Sequence, residues 1–172
     1  VLFPGDMHIS RSLRKTLRSD RFALSVDRDF TRVMRECAEL RGDGLGTWID
    51  EDMVAGYSAL HRLGYGHSIE VRNDADELVG GLYGLAIGRV FFGESMFSKI
   101  TDASKVALVA LVDILNRGGF ELIDCQLESN HLNSMGACNI PRAEFEHYLA
   151  GAVNAAAPGD IWRLPARCGG LV

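Results

Sequence analysis

Near the start of the chain, apolar residues recur with a helical period. Ile9, Leu13 and Leu17 stand at i, i+4 and i+8, while Arg11, Arg14, Lys15 and Arg18 at i, i+3, i+4 and i+7 share another face. The spacing predicts an amphipathic helix over about 10–19 with a cationic outer surface. Residues 21–26 then read as a strand, and Asp27 as the cap of a helix carrying Phe30, Val33, Met34 and Cys37. Glycines between 42 and 46 break the chain. Asp50 opens a second helix to about Leu63, with Met53, Tyr57, Leu60 and His61 on one side and Gly64 as its stop.

Beyond residue 67 the signal turns to strands. Residues 67–72, 78–87 and 89–92 form an expected antiparallel meander, punctuated by the polar turn 73–76 and by Gly88. Asp102 starts a helix that is apolar on nearly every face between 106 and 112, so it is expected to be buried, and Gly118-Gly119 ends it. A strand over 122–126, a short helix near 130–135 and a helix from Pro141 to about Val153 follow. The order predicts an α/β (α+β) domain over 1–157, a mixed sheet with helices on both faces, and a patternless tail over 158–172.

Composition agrees with a folded chain. Of 172 residues 47% are hydrophobic and 24% charged, which supports a real core and excludes a disordered segment. No apolar run reaches the roughly 18 residues of a membrane helix, and the opening Val-Leu-Phe-Pro-Gly-Asp is not built like a secretory signal. A cytoplasmic location without a membrane partner is therefore expected. Val1 is not an initiator methionine, so the chain reads as processed or truncated. The four cysteines are far apart with no CxxC, which leaves no expected metal site, and Cys125 in an apolar run reads as a small buried hydrophobe rather than a nucleophile. The net charge of −5 argues against steering of the whole surface toward nucleic acid. Against that background the cationic helix face fits either a solvated surface or phosphate binding.

The candidate chemistry lies in three residues. Glu94, within Phe91-Phe92-Gly93-Glu94-Ser95-Met96-Phe97-Ser98, is placed after an apolar strand and before a helix. Asp124 and Gln126, at i and i+2 of the last predicted strand, are expected to point to the same side. All three then converge on a cleft between sheet and helix. On the residues alone, Asp124 either caps a backbone group at the strand end or takes part in a reaction.

Several motifs carry a resemblance. They are His8-Ile9-Ser10-Arg11-Ser12-Leu13, Gly46-Thr47-Trp48-Ile49, Gly64-Tyr65-Gly66-His67-Ser68-Ile69-Glu70, Gly80-Gly81-Leu82-Tyr83-Gly84, the stretch around Glu94, Ala103-Ser104-Lys105, Leu122-Ile123-Asp124-Cys125-Gln126 and Gly136-Ala137-Cys138-Asn139-Ile140-Pro141-Arg142. Taken together and in this order, they make the chain resemble the leucyl/phenylalanyl-tRNA–protein transferases over about residues 1–150. The element order likewise resembles the GNAT acyltransferase fold. Members of the family usually carry a small N-terminal domain ahead of the point where this chain begins.

The resemblance implies an aminoacyltransferase that moves leucine, phenylalanine or, less often, methionine from aminoacyl-tRNA to the N-terminal Lys or Arg of a protein, marking it for degradation through the N-degron pathway. It implies Asp124, Gln126 and Glu94 as catalytic residues. Gln126 would position the attacking amine or the carbonyl, and Asp124 would polarise Gln126 or accept the proton. Glu94 would meet the amino group or ribose of the aminoacyl-adenosine end, the plainer alternative being a salt bridge to Arg89 or Lys99. Trp48 would stack on the terminal adenine. Leu82, Met96, Phe97, Leu111 and Leu115 would line the side-chain pocket, the last two replacing larger aromatic residues and so widening it. Arg11, Arg14, Lys15 and Arg18 would hold the acceptor stem by phosphate contacts. Aminoacyl-tRNA is then a substrate, no ATP, CoA or metal cofactor is expected, and a monomer is the expected state. Two rival readings are an acetyl-CoA-dependent GNAT acetyltransferase and a non-catalytic tRNA- or peptide-binding remnant. The glycine-free stretch 97–103 disfavours the first, because CoA pyrophosphate needs a glycine turn at a helix N-terminus.

Overall fold

The computed structural model describes residues 1–39, 49–156 and 158–172. Strands β1 (Ala23–Val26), β2 (Gly66–Arg72), β3 (Leu78–Ile87) and β4 (Val90–Ser98) pair antiparallel with their neighbours in chain order. β5 (Leu122–Asp124) joins β4 in parallel, giving the order β1-β2-β3-β4-β5. A parallel neighbour needs a crossover, which is supplied by α4 (Ala103–Arg117).

The two sheet faces carry separate cores. On one, Val106, Leu108, Leu111 and Leu115 of α4 pack with Ile69, Val71, Leu82 and Phe91. On the other, α2 (Phe30–Glu39) and α3 (Glu51–Arg62) bring Val33, Met34 and Val54 against Leu78, Tyr83 and Phe97. The expected mixed α/β sheet with helices on both faces is the architecture observed. α4 lies so close to β3 that a Cβ on Gly80 would stand 2.5 Å from that of Ala103, so this position has room for glycine only.

α1 (Arg11–Arg18) is capped by Ser10, whose hydroxyl accepts the Leu13 N–H, and it buries Leu13 and Leu17 while its four basic residues stay exposed. Asp50 caps α3 through the Met53 N–H at 2.8 Å. α5 (Asn130–Asn133) and α6 (Arg142–Ala152) complete the helices, and Pro141 sits just before α6. Among the described residues no helix is long and apolar enough to cross a membrane.

Several boundaries differ from expectation. β4 does not stop at residue 92 but runs on to Ser98, because Gly93 and Glu94, which read as a break, form an irregularity inside a continuing strand. β5 is shorter than predicted and ends at Asp124. Asp27 does not cap α2: its carboxylate accepts the Ser68 N–H at 2.8 Å and pairs with His67 Nδ1 at 2.7 Å. The buried Glu70 instead accepts the Arg28 and Asp29 N–H groups ahead of α2, together with the Ser25 and Ser68 hydroxyls. The glycines at 42–46 lie outside the described residues.

Both sheet edges are covered by chain ends. Leu24 donates to the Ala166 carbonyl at 2.9 Å and Cys168 donates to that of Phe22 at 3.0 Å, so residues 166–168 run along β1. Trp162 stacks on His67, ring centroids 3.4 Å apart, and Cys168 is fully buried. Beside β5, Leu2 and Ile123 exchange backbone hydrogen bonds of 2.9 and 2.8 Å.

Candidate active site

The site originates in unequal strand lengths. Val90, Phe91 and Phe92 pair with Leu122, Ile123 and Asp124; then β5 ends, while β4 continues for six residues. Between them a cavity of about 420 Å³ opens. Leu82, Met96, Leu108 and Leu111 supply much of its apolar wall, Glu94 enters from β4, and Gln126 lies on the segment that leaves β5.

Glu94 reaches this cavity through a β-bulge. Gly93 pairs with Gly84 and Ser95 with Tyr83, which leaves Glu94 as the extra residue. A bulge bends the strand and redirects its side chains. Gly84 makes it possible, since a Cβ there would stand 2.2 Å from the Phe92 carbonyl oxygen. The Tyr57 phenol of α3 is a neighbour of Glu94. Burial first, then the nearby Glu94 carboxylate, push the Tyr57 phenol up to about 12, so it remains a proton donor across the physiological range. The Tyr57 ring stands edge-on to Tyr83 at 5.7 Å and 87°. Lys99, an expected alternative partner of Glu94, is paired instead with Glu36 at 2.5 Å. Glu94 and Arg89 form no ion pair among the described residues.

Gln126 and Asp124 are not strand neighbours pointing to the same side, because the strand ends between them. Gln126 has φ of 61°, and its N–H donates to Asp124 Oδ1 at 2.9 Å. This side-chain turn fixes the left-handed conformation, which a residue with a Cβ otherwise adopts at a cost of about 1–2 kcal/mol. Asp124 thus makes the backbone-capping contact. A second, more polar cleft of about 340 Å³ begins here, and it shares Cys125, Gln126, Leu127, Glu128 and Leu132 with the apolar cavity. Asp124 lines only the polar cleft, whereas Gln126 lines both. Burial raises the Cys125 thiol above its ordinary value, and its Sγ points to the Ile123 carbonyl at 3.8 Å, which suits a thiol rather than a nucleophilic thiolate.

Leu82, Glu94, Met96, Leu111 and Gln126 therefore share one cavity. Phe97 does not join them: adjacent strand residues face opposite ways, so with Met96 at the cavity Phe97 is packed in the core beneath α2 and α3. Leu115 is likewise fully buried in the core, and Leu108, one turn before Leu111 on the other side, takes the wall position. Trp48 lies outside the described residues. The sequence did not reveal Tyr57 as a neighbour of Glu94, since nothing local links a helix residue to a distant bulge. His131 was also missed. It lines the apolar cavity, and burial first, then Lys105, lowers its pKa, which favours the neutral imidazole.

The basic helix stands next to this region. Thr16 of α1 donates to Asp102 at 2.8 Å, and Asp102 also pairs with Lys105 at 3.7 Å at the start of α4. Arg11, Arg14, Lys15 and Arg18 are exposed and form no ion pair among the described residues.

Comparison with known proteins shows the family of the chain. A leucyl/phenylalanyl-tRNA protein transferase family model matches residues 1–150. The leucyl/phenylalanyl-tRNA–protein transferase of Nitrosospira multiformis is 54% identical over 162 residues, covering 94% of this chain and 69% of that protein. The same-named proteins of Syntrophobacter fumaroxidans and Pseudomonas entomophila are 54% and 57% identical, covering 98% and 87% of this chain. The chain spans 72% and 66% of those two relatives. Among solved structures, an aminoglycoside acetyltransferase from a soil metagenome in complex with sisomicin aligns with a TM-score of 0.49 at 10% identity, over 86% of this chain and 96% of that one. A GNAT-family acetyltransferase of Staphylococcus aureus aligns with a TM-score of 0.41 at 13% identity, over 56% and 69%. With a family model covering most of its length and relatives sharing more than half of its aligned residues, this chain belongs to the leucyl/phenylalanyl-tRNA–protein transferase family.

Proposed function

We propose that this chain transfers leucine or phenylalanine, and less often methionine, from aminoacyl-tRNA to the N-terminal Lys or Arg of proteins and so marks them for degradation. The observation that carries this reading is Glu94: a carboxylate beside the Tyr57 phenol, without an ion pair among the described residues, in an otherwise largely apolar cavity. The cavity takes the apolar side chain of the aminoacyl group, and Glu94 takes its ammonium by a charge-assisted hydrogen bond. Leu82, Met96, Leu108 and Leu111 form the wall that selects the side chain.

The acceptor amine attacks the ester carbonyl, the bond to the ribose oxygen breaks, and the proton lost by nitrogen ends on that oxygen. The enzyme gains no net proton. An α-amine with pKa near 7.7–8.0 is roughly a tenth neutral at pH 7, so orientation matters more than a strong base. Gln126, which borders both cavities, places the amine or the carbonyl. Asp124 sets the backbone from which that side chain projects. The exposed arginines and lysine of α1 hold the acceptor stem through its phosphates, and Trp48 stacks on the terminal adenine.

The deciding assay is transfer of labelled leucine from Leu-tRNA to a peptide beginning with Arg, by the wild type and by Asp124→Ala. Transfer by the wild type, reduced at least about tenfold in the variant, is the expected result. A wild type that binds tRNA but transfers nothing overturns the reading.

A further inference from the structure

The apolar cavity accounts for the aminoacyl group, but the polar cleft beside it has no occupant assigned by that reading. The two spaces meet along Cys125, Gln126, Leu127, Glu128 and Leu132, so on the transfer reading, with the amide forming at Gln126, the acceptor approaches from the polar side. Two carboxylates line that cleft, Asp124 and Glu128. One oxygen of Asp124 is committed to the Gln126 N–H. Glu128 is differently placed. Its Oε1 accepts from Asn133 Nδ2 at 3.0 Å and its Oε2 from Asn139 Nδ2 at 2.7 Å.

Two amides thus fix the plane of the Glu128 carboxylate, and each oxygen keeps further acceptor capacity. The same donors hold its carboxyl below the ordinary value, Asn139 contributing most. Glu128 has no ion pair among the described residues, and Arg142 of the same cleft is paired with Glu146 at 3.7 Å. A pinned, exposed carboxylate with acceptor capacity left on each oxygen suits a guanidinium through two parallel bonds, or an ammonium through one.

We infer that Glu128, positioned by Asn133 and Asn139, is the residue that selects a cationic side chain on the acceptor's N-terminal residue. The inference rests on the aminoacyl-transfer reading for the identity of the acceptor, but its test does not need transfer. Short fluorescent peptides differing only in the first residue, Arg, Lys or the neutral norleucine, are titrated by anisotropy against the wild type, Glu128→Gln and Glu128→Lys.

The wild type is expected to bind the Arg and Lys peptides about tenfold or more tighter than the norleucine peptide. In Glu128→Gln that ratio should fall toward one, and Glu128→Lys should prefer an Asp-headed peptide over an Arg-headed one. Equal ratios in wild type and Glu128→Gln, or no preference for cationic peptides in the wild type, overturn the inference. Leucine transfer measured in parallel separates the two claims. Normal transfer with an unaltered peptide preference in Glu128→Gln removes the role of Glu128 alone. Selective binding through Glu128 without any transfer removes the transferase reading alone.

Discussion

Asp124 and Gln126 show how one hydrogen bond changes the meaning of a pair. A carboxylate that accepts a backbone N–H can be replaced by a neutral acceptor of the same shape, whereas a proton acceptor cannot. Asp124→Asn should therefore retain transfer within a few-fold, while Asp124→Ala loses it; loss in both, with folding intact by circular dichroism, would return Asp124 to the proton-transfer role. Tyr57 makes a parallel case. Tyr57→Phe removes only the hydroxyl beside Glu94 and should lower kcat/KM about tenfold with a stability change of about 1 kcal/mol, read by steady-state kinetics and thermal melting. The sequence made the residue types of this site visible but not their contacts. The position of Gln126 was misread because a strand of apolar residues was extended two residues past its end, where a left-handed backbone turns the chain away.

At the scale of elements, the bulge and the short partner strand create the opening. A run containing Gly93 and Glu94 reads as a strand end because glycine and charge interrupt the apolar pattern. In the fold the glycine at 84 tolerates the crowding and the charge is what the bulge presents. Helices were easier to read, since their periods are long and their caps local, as with Ser10 and Asp50. Leu111 lies on the cavity wall while Leu115, one turn on, does not. Leu111→Phe should narrow the cavity and reduce phenylalanine transfer more than leucine transfer, by roughly 1–3 kcal/mol in the ratio of kcat/KM values for Phe-tRNA and Leu-tRNA. An unchanged ratio would move the specificity wall elsewhere. For α1, reversing Arg14 and Arg18 to Glu should weaken tRNA binding and flatten its dependence on salt; unchanged affinity would make that face an ordinary solvated surface.

Across the whole molecule, two cores on opposite faces of one sheet support a site that lies where the sheet separates. The meander and its flanking helices were legible because neighbours in sequence are neighbours in the sheet. The last fifteen residues were not legible. Their order comes from particular distant partners: the His67 ring under Trp162, the Asp20 carbonyl and Asp74 carboxylate on Arg167, and the edge of β1. Removing residues 158–172 should cost about 3 kcal/mol or more in thermal or urea unfolding, through the apolar surface of Trp162, Leu164 and Cys168 that they bury. A second effect concerns how separate molecules meet. Without residues 166–168, the Leu24 N–H and Phe22 carbonyl would face solvent as free valences of an open β edge, a template onto which another chain's strand can add. The shortened protein should therefore form larger species as its concentration rises, seen as faster sedimentation than the intact chain under the same conditions. In that respect the tail acts as a guard against fibrous growth as much as a brace for the fold.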